Sequence, residues 1–356
     1  MTTAYPARRV LHIASVTRVL TERELNRALL ARQLLLERAK TPLPRALERI
    51  GGIQAQYAPS MYIGLWSRLA GFEREQLTRA LERKSVVQGS MMRATIHLVS
   101  KRDYWPFVVG IREGMEKWWL RVHKGVTRRE VAANDRKIRK ALAGKTLSRA
   151  ELEEVIGQRL GPAGIFVDLV RVPPSGTWER RRADLYALAE DWIGPESSTV
   201  EDGVERLVQA YLQGFGPARP TEIADWASLD VSTTRRALEG LELRRFEDEQ
   251  GKELVDLPRL PLPDGDTPAP ARFLPVWDAT LLVHARRTQI LPEKYRSRVF
   301  NVRTPHSVNT FLVDGQVAGT WRYDKGGVKV EPFGRLPKGV RAEVDDEAER
   351  LAAFHS

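Results

Sequence analysis

Pro220-Thr221-Glu222-Ile223-Ala224-Asp225-Trp226-Ala227-Ser228-Leu229-Asp230-Val231-Ser232-Thr233-Thr234-Arg235-Arg236-Ala237-Leu238 carries the spacing of a helix-turn-helix. Ile223, Ala224, Ala227, Val231, Ala237, Leu238 and Leu241 form the apolar set that two crossing helices bury, with Asp230-Val231 as the turn between them. Glu249-Gln250-Gly251-Lys252 follows between two strand-like runs and reads as the tip of a wing. In such a unit the second helix enters the major groove while flanking polar and basic side chains grip phosphate. Ser232, Thr233, Arg235, Arg236 and Lys252 are placed for those contacts. The same residues also fit a winged-helix packing module with a solvated basic face.

The order of helices and then strands recurs twice upstream. Thr21-Glu22-Arg23-Glu24 is a capping box opening a helix to about Lys40, and a second helix starts near Pro44. Pro59 biases Ala58 away from helical geometry, which places Gln54-Ala55-Gln56 near the end of that second helix. Helices at Tyr62–Leu69 and Glu73–Arg83 precede Val86–Leu98, whose final stretch alternates with period two. Its polar face would then project Arg93, Thr95 and His97 together, for phosphate contacts or as a polar wall of an active site. A lone strand histidine is also an ordinary structural group. Ser148-Arg149-Ala150-Glu151 caps another helix, a strand-like run covers Ile165–Val172, and Arg180-Arg181-Arg182 lies just beyond the turn Pro173–Gly176.

Proline-rich sequence from Pro258 to Pro270 reads as a semi-rigid linker. Beyond it, Trp277–Ala285, Thr310–Val313 and Val317–Tyr323 read as strands, with Asp314-Gly315 and Gly326-Gly327 as hairpin signals. The fold class is therefore α+β: three tandem winged-helix units over 20–118, 119–198 and 199–262, then a small antiparallel β unit over 271–340. An acidic helix over 341–356 closes the chain.

A formal net charge of +11 attracts polyanions, nucleic acid first and anionic membrane second. The absence of any run of about 18 apolar residues argues against a membrane span, and a cytoplasmic, nucleoid-associated protein is expected. With no cysteine, disulfide scaffolds, thiolate zinc sites and cysteine-bound iron–sulfur clusters are excluded. The histidines show no metal-ligand spacing, so neither metal nor cofactor is expected. No obligate protein partner is evident, and a monomer is expected. A transcriptional regulator or a DNA-bending protein would use the same helix-turn-helix physics without catalysis. A metal-dependent nuclease would need clustered carboxylates on adjacent strands, and the strand-like runs supply no such set.

Glutamines two apart are common on solvated helix faces, so Gln54 and Gln56 alone identify no catalyst. A wider set of motifs does more. Ile53-Gln54-Ala55-Gln56-Tyr57-Ala58-Pro59, Leu65-Trp66-Ser67-Arg68-Leu69 and Met92-Arg93-Ala94-Thr95-Ile96-His97-Leu98 come in that order. Pro173-Pro174-Ser175-Gly176-Thr177-Trp178 and Leu274-Pro275-Val276-Trp277-Asp278 follow, with His284 and Arg286 downstream. Together they resemble the winged-helix DNA glycosylases of the AlkZ type over about residues 20–335. The resemblance implies a C-shaped body whose catalytic Gln-x-Gln motif is Gln54 and Gln56, position 56 being uncharged where a related branch carries aspartate. It implies excision of N7-alkylated guanine from double-stranded DNA, including bulky adducts and cross-links. DNA contacts are then expected from Arg93, Thr95, His97, Arg180, Arg181, Ser232, Thr233, Arg235, Arg236, Lys252, His284 and Arg286.

Overall fold

Local capping chemistry sets the helix starts, beginning with Thr21, whose hydroxyl accepts from Glu24 N while the Glu24 carboxylate accepts from Thr21 N. A computed structural model describes residues 18–125, 127–160, 166–282, 287–300 and 307–356. Strand β1 (Val19–Leu20) leads into α1 (Glu22–Arg32). This helix stops well short of Lys40, because Leu34 turns left-handed at φ +58° and Leu35 N reaches back to Leu30 O at 2.8 Å. Helix α2 (Leu43–Ile50) ends on Gly51 and Gly52, both at positive φ. Gly52 sits so close to Leu98 and Val99 that a Cβ there would lie 2.9 Å from a Val99 methyl. The chain then enters β2 (Ile53–Gln54), and α3 (Ala58–Arg68) takes Pro59 into its first turn. The Gln-x-Gln segment is thus not the end of α2: Gln54 lies on β2 and Gln56 in the bend between β2 and α3, and the glycine pair, rather than Pro59, stops α2.

Helix α4 (Arg74–Glu82) precedes β3 (Val86–Ser90) and β4 (Ile96–Ser100), which pair antiparallel with Gly89 opposite His97. The expected period-two alternation through Arg93, Thr95 and His97 is interrupted by a tight turn in which Arg93 and Ala94 both have φ +56°. Only His97 of the trio Arg93, Thr95 and His97 lies on a strand, so their common strand face does not form.

The sheet runs β2-β4-β3-β6-β7-β5, adding β5 (Leu147–Ser148), β6 (Leu169–Arg171) and β7 (Leu185–Leu188). Strand β3 meets β6 antiparallel, Gln88 opposite Arg171. The strands assigned from sequence to two separate units therefore share one sheet. The expected boundary at 118/119 also falls inside a helix, α5 (Lys101–Val122). Helices α6 (Arg128–Leu142) and α7 (Arg149–Ile156) pack on the far end of this sheet through Ile138, Leu142, Leu152, Leu169 and Tyr186. Helix α8 (Ala189–Ile193) follows β7 directly.

Helix α9 (Val200–Phe215) crosses α5 at a glycine pair: a Cβ on Gly110 would sit 2.6 Å from the Gly203 carbonyl carbon. Next come α10 (Pro220–Ala227), α11 (Val231–Glu239) and the antiparallel hairpin β8 (Arg244–Asp248) and β9 (Glu253–Asp256). Strand β1 joins this hairpin in parallel with β8, Val19 opposite Glu247, and Leu20 and Leu25 share a core with Phe246 and Leu254. The first strand among the described residues thus belongs to this hairpin. Residues 258–270 form no regular element and are pinned to α1, Arg32 donating to Pro261 O and Arg27 to Thr267 O.

A four-stranded antiparallel meander, β10 (Arg272–Leu274), β11 (Thr310–Val313), β12 (Gln316–Asp324) and β13 (Gly327–Pro332), follows. Its two-residue loops are Asp314-Gly315 and Lys325-Gly326, all four residues at positive φ as hairpins of this type require. Trp277–Ala285 is not a strand: Trp277 has φ +67°, α12 spans Ala279–Leu282, and 283–285 lie outside the described residues. Asp278 instead receives the buried Arg68 guanidinium on both carboxylate oxygens at 2.9 Å, tying α3 to this unit. The last helix, α13 (Lys338–His355), starts before the expected boundary at 340/341 and buries Val344, Ala348 and Leu351.

Candidate active site

Strand β2 runs antiparallel to β4 with Gln54 opposite His97, and the pairing continues one residue further, Ala55 N donating to Ile96 O at 2.7 Å. Ala55 is 2% exposed in the core, flanked by Gln54 on the strand and by Gln56 in the bend that follows it. Gln54 is buried, Gln56 half-buried, and Tyr57 exposed beside them. Gln56 Oε1 is buried and accepts no hydrogen bond among the described residues. Gln54 Oε1 accepts from Arg93 Nη2 at 3.4 Å. A guanidinium only donates, so the atom facing it is the amide oxygen, and the Gln54 NH2 is left to point elsewhere.

Arg93 is held from the side of α10 and the turn that follows it. Its Nη1 donates to Trp226 O at 2.9 Å, and its backbone N donates to Ser228 Oγ at 2.9 Å. Burial pushes the Arg93 pKa down to about 10, still leaving a cation at neutral pH. No carboxylate pairs with it among the described residues.

His97 is 3% exposed, which removes it from any surface contact with DNA. Burial, and then the Arg93 charge, push its pKa down to about 3. Its Nδ1 faces the Thr95 carbonyl at 3.1 Å, an acceptor only, so the neutral ring carries its proton there. Thr95 Oγ1 donates to Met92 O at 3.0 Å and serves the turn.

Most of the remaining described candidates lie on the surface. Arg180 and Arg181 are exposed; Arg181 Nη1 donates to Tyr57 Oη at 3.1 Å, which brings it beside the glutamine segment. Ser232, Arg235 and Arg236 are exposed on α11 and Thr233 is half-buried, while Lys252 is exposed at the β8–β9 turn. A cleft of about 560 Å³ between α5 and the α10–α11 turn is bordered by Arg93, Lys117, Trp118, Arg121, Ser228 and Asp230. His284 and Arg286 lie outside the described residues. Trp226 and Ser228 escaped the sequence reading because they meet Arg93 across more than 130 residues of chain. Tyr57 was visible, as the aromatic directly after Gln56. Among the described residues, no three His, Asp or Glu side chains gather as a metal site, and no helix is long and apolar enough to cross a membrane.

The family described as DNA glycosylase AlkZ-like matches residues 47–354. An interstrand DNA cross-link repair glycosylase from Streptomyces sahachiroi is 26% identical over 354 residues, covering 90% of this chain and 93% of that protein. The solved structure of the Streptomyces sahachiroi DNA glycosylase AlkZ superposes with a TM-score of 0.78 at 21% identity, over 94% of this chain and 97% of that one.

Proposed function

Because the chain belongs to the AlkZ-like DNA glycosylase family, we propose that it hydrolyses the N-glycosidic bond of N7-alkylated guanine in duplex DNA. Its substrates are bulky adducts or cross-links left by alkylating natural products, and its role is base-excision repair or self-resistance. The cross-link activity named for the Streptomyces sahachiroi relative supports including cross-links. The helix-turn-helix and its hairpin act as a winged helix on the DNA, in a monomeric, monofunctional enzyme of the cytoplasm.

The observation that carries the chemistry is the division of labour between two neutral amides. Gln54 gives its oxygen to Arg93 and keeps an NH2 to donate, while Gln56 keeps a buried oxygen to accept. Between them they can hold one water, Gln54 donating to its oxygen and Gln56 accepting one of its protons. N7-alkylguanine is already cationic, so its base leaves without a general acid. The C1′–N9 bond breaks, the bond pair neutralises the departing purine, and the oxocarbenium-like sugar that develops is captured by that water, whose surplus proton goes to solvent. An uncharged residue at position 56 stabilises the cation less than a carboxylate would, which restricts the catalyst to labile, charged lesions.

The test is single-turnover release of free base from duplex carrying N7-methylguanine. Gln54→Ala and Gln56→Ala each slow release by about 100-fold while DNA affinity stays within a few-fold. Wild-type rates in both variants would remove the glutamines from the mechanism. Absence of any released base from the wild-type protein would leave a non-catalytic DNA binder.

A further inference from the structure

We propose that Arg93 is a positioning residue, through which the turn of the helix-turn-helix fixes the orientation of the Gln54 carboxamide. This rests on the glycosylase reading and extends it: the side chain that sequence read as a phosphate contact or as a polar wall of the site is turned to the amide of Gln54.

The backbone at Arg93 gives the first argument. Arg93 and Ala94 are consecutive non-glycine residues in the left-handed region, a conformation that favours glycine. Local bonds from Ala94 N to Met91 O and from Thr95 N to Met92 O close the turn, and Ser228 Oγ anchors Arg93 N from a different unit. A turn needing only its backbone shape would be met by glycine, so the arginine is explained by what its side chain does.

The side chain supplies the second argument. A mostly buried guanidinium without a carboxylate partner among the described residues is solvated by two oxygens, Trp226 O and Gln54 Oε1. One nitrogen of the planar fork is committed to the C-terminal turn of α10, and another to the amide that faces the substrate. The fork's rigidity relates those two points, so the seating of α10 and α11 sets the direction of the Gln54 NH2. Lysine, a single ammonium on a flexible stem, cannot span both oxygens in this way. A neutral residue would leave the amide free to rotate and to present its oxygen in place of its NH2.

The experiment is single-turnover base release from N7-methylguanine duplex at saturating protein, run alongside equilibrium DNA binding and thermal melting. Arg93→Ala is expected to slow release about 100-fold, the loss typical of a misplaced catalytic group, with DNA affinity within threefold of wild type. Arg93→Lys recovers little of that rate. Since Arg93 borders the cleft between α5 and the turn, millimolar guanidinium can enter and restore at least part of the rate to Arg93→Ala. It restores nothing to Gln54→Ala, with sodium chloride as the ionic-strength control. The double variant Gln54→Ala with Arg93→Ala is expected to be no slower than Gln54→Ala alone, because the arginine acts through that amide. Should Arg93→Ala fail to fold, Ser228→Ala removes only the anchor on the backbone and is expected to slow release several-fold. The proposal is overturned if Arg93→Ala keeps the wild-type rate, if its loss multiplies with that of Gln54→Ala, or if a folded Ser228→Ala loses nothing where Arg93→Ala cannot be made. A wild-type protein that releases no base overturns the glycosylase reading itself.

Discussion

His97 is a neutral base enclosed beside a guanidinium cation, and that pairing sets how the stability of the fold responds to pH. Its pKa, pushed down to about 3 by burial and by Arg93, lies far below that of an unfolded histidine. The unfolded chain therefore takes up the proton first. The contribution of the neutral ring is fully present above about pH 6.5 and is lost as pH falls, by up to about 1.4 kcal/mol per pH unit. Asp103 and Asp168 act in the opposite sense, since burial raises their carboxyl groups. The comparison that isolates His97 is thus urea unfolding of wild type against His97→Gln between about pH 7 and 5. Wild type should lose stability relative to the variant on acidification, and parallel curves would contradict the buried neutral ring. Release of cationic base, by contrast, should be flat between about pH 5 and 8, as the glutamines do not titrate and Arg93 loses its proton only near 10. The Gln-x-Gln motif and the residues around it were legible in sequence, yet their shared face was not. A period-two reading cannot see that two left-handed residues precede Ile96, because arginine and alanine carry no mark of positive φ.

Helix starts were legible where a capping box marks them, and ends were obscure where the backbone turns left-handed. Thr21 and Ser148 each close a capping box that four residues of sequence reveal, and the structure adds a third at Thr127. The end of α1 lies on a left-handed leucine, which no propensity rule marks, and the glycine pair ending α2 outweighed the proline that sequence favoured. Pairing of β3 with β6 joins strands some 80 residues apart and has no local signature. The elements that matter most for the site are α5 and α10, which touch where a Cβ on Gly114 would lie 2.3 Å from Ser228 O. Gly114→Ala must therefore displace the turn that carries Ser228 and, with it, the anchor of Arg93. The expected outcome is a loss of about 1–3 kcal/mol in denaturant titration together with slowed base release. Gly339→Ala, in α13 with open space around the new methyl, should by comparison gain up to about 1 kcal/mol and leave release untouched. Equal effects of the two glycine variants on release would show that α5 does not set the turn.

For the whole molecule, the net charge of +11 was legible from composition, but where it acts was not. Arg32, Arg68 and Arg206 spend their charge internally against Asp256, Asp278 and Asp103. The cations left facing solvent include Arg181 beside Tyr57, Arg235 and Arg236 on α11, and Lys252 on the hairpin. Each that neutralises a phosphate releases counterions, so the logarithm of the binding constant should fall with the logarithm of salt by about 0.9 per contact. Arg235→Gln combined with Arg236→Gln should then flatten the slope by up to about 1.8 and weaken all sequences alike. Base release at saturating protein should be unchanged, since neither residue is bonded to Arg93 or the glutamines. Fluorescence anisotropy on a random duplex across a salt series measures the slope directly. If it stays at the wild-type value, the DNA does not lie along α11. If release falls at saturation as well, these arginines act on the Gln54 site, and the separation between gripping phosphate and orienting the amide has to be redrawn.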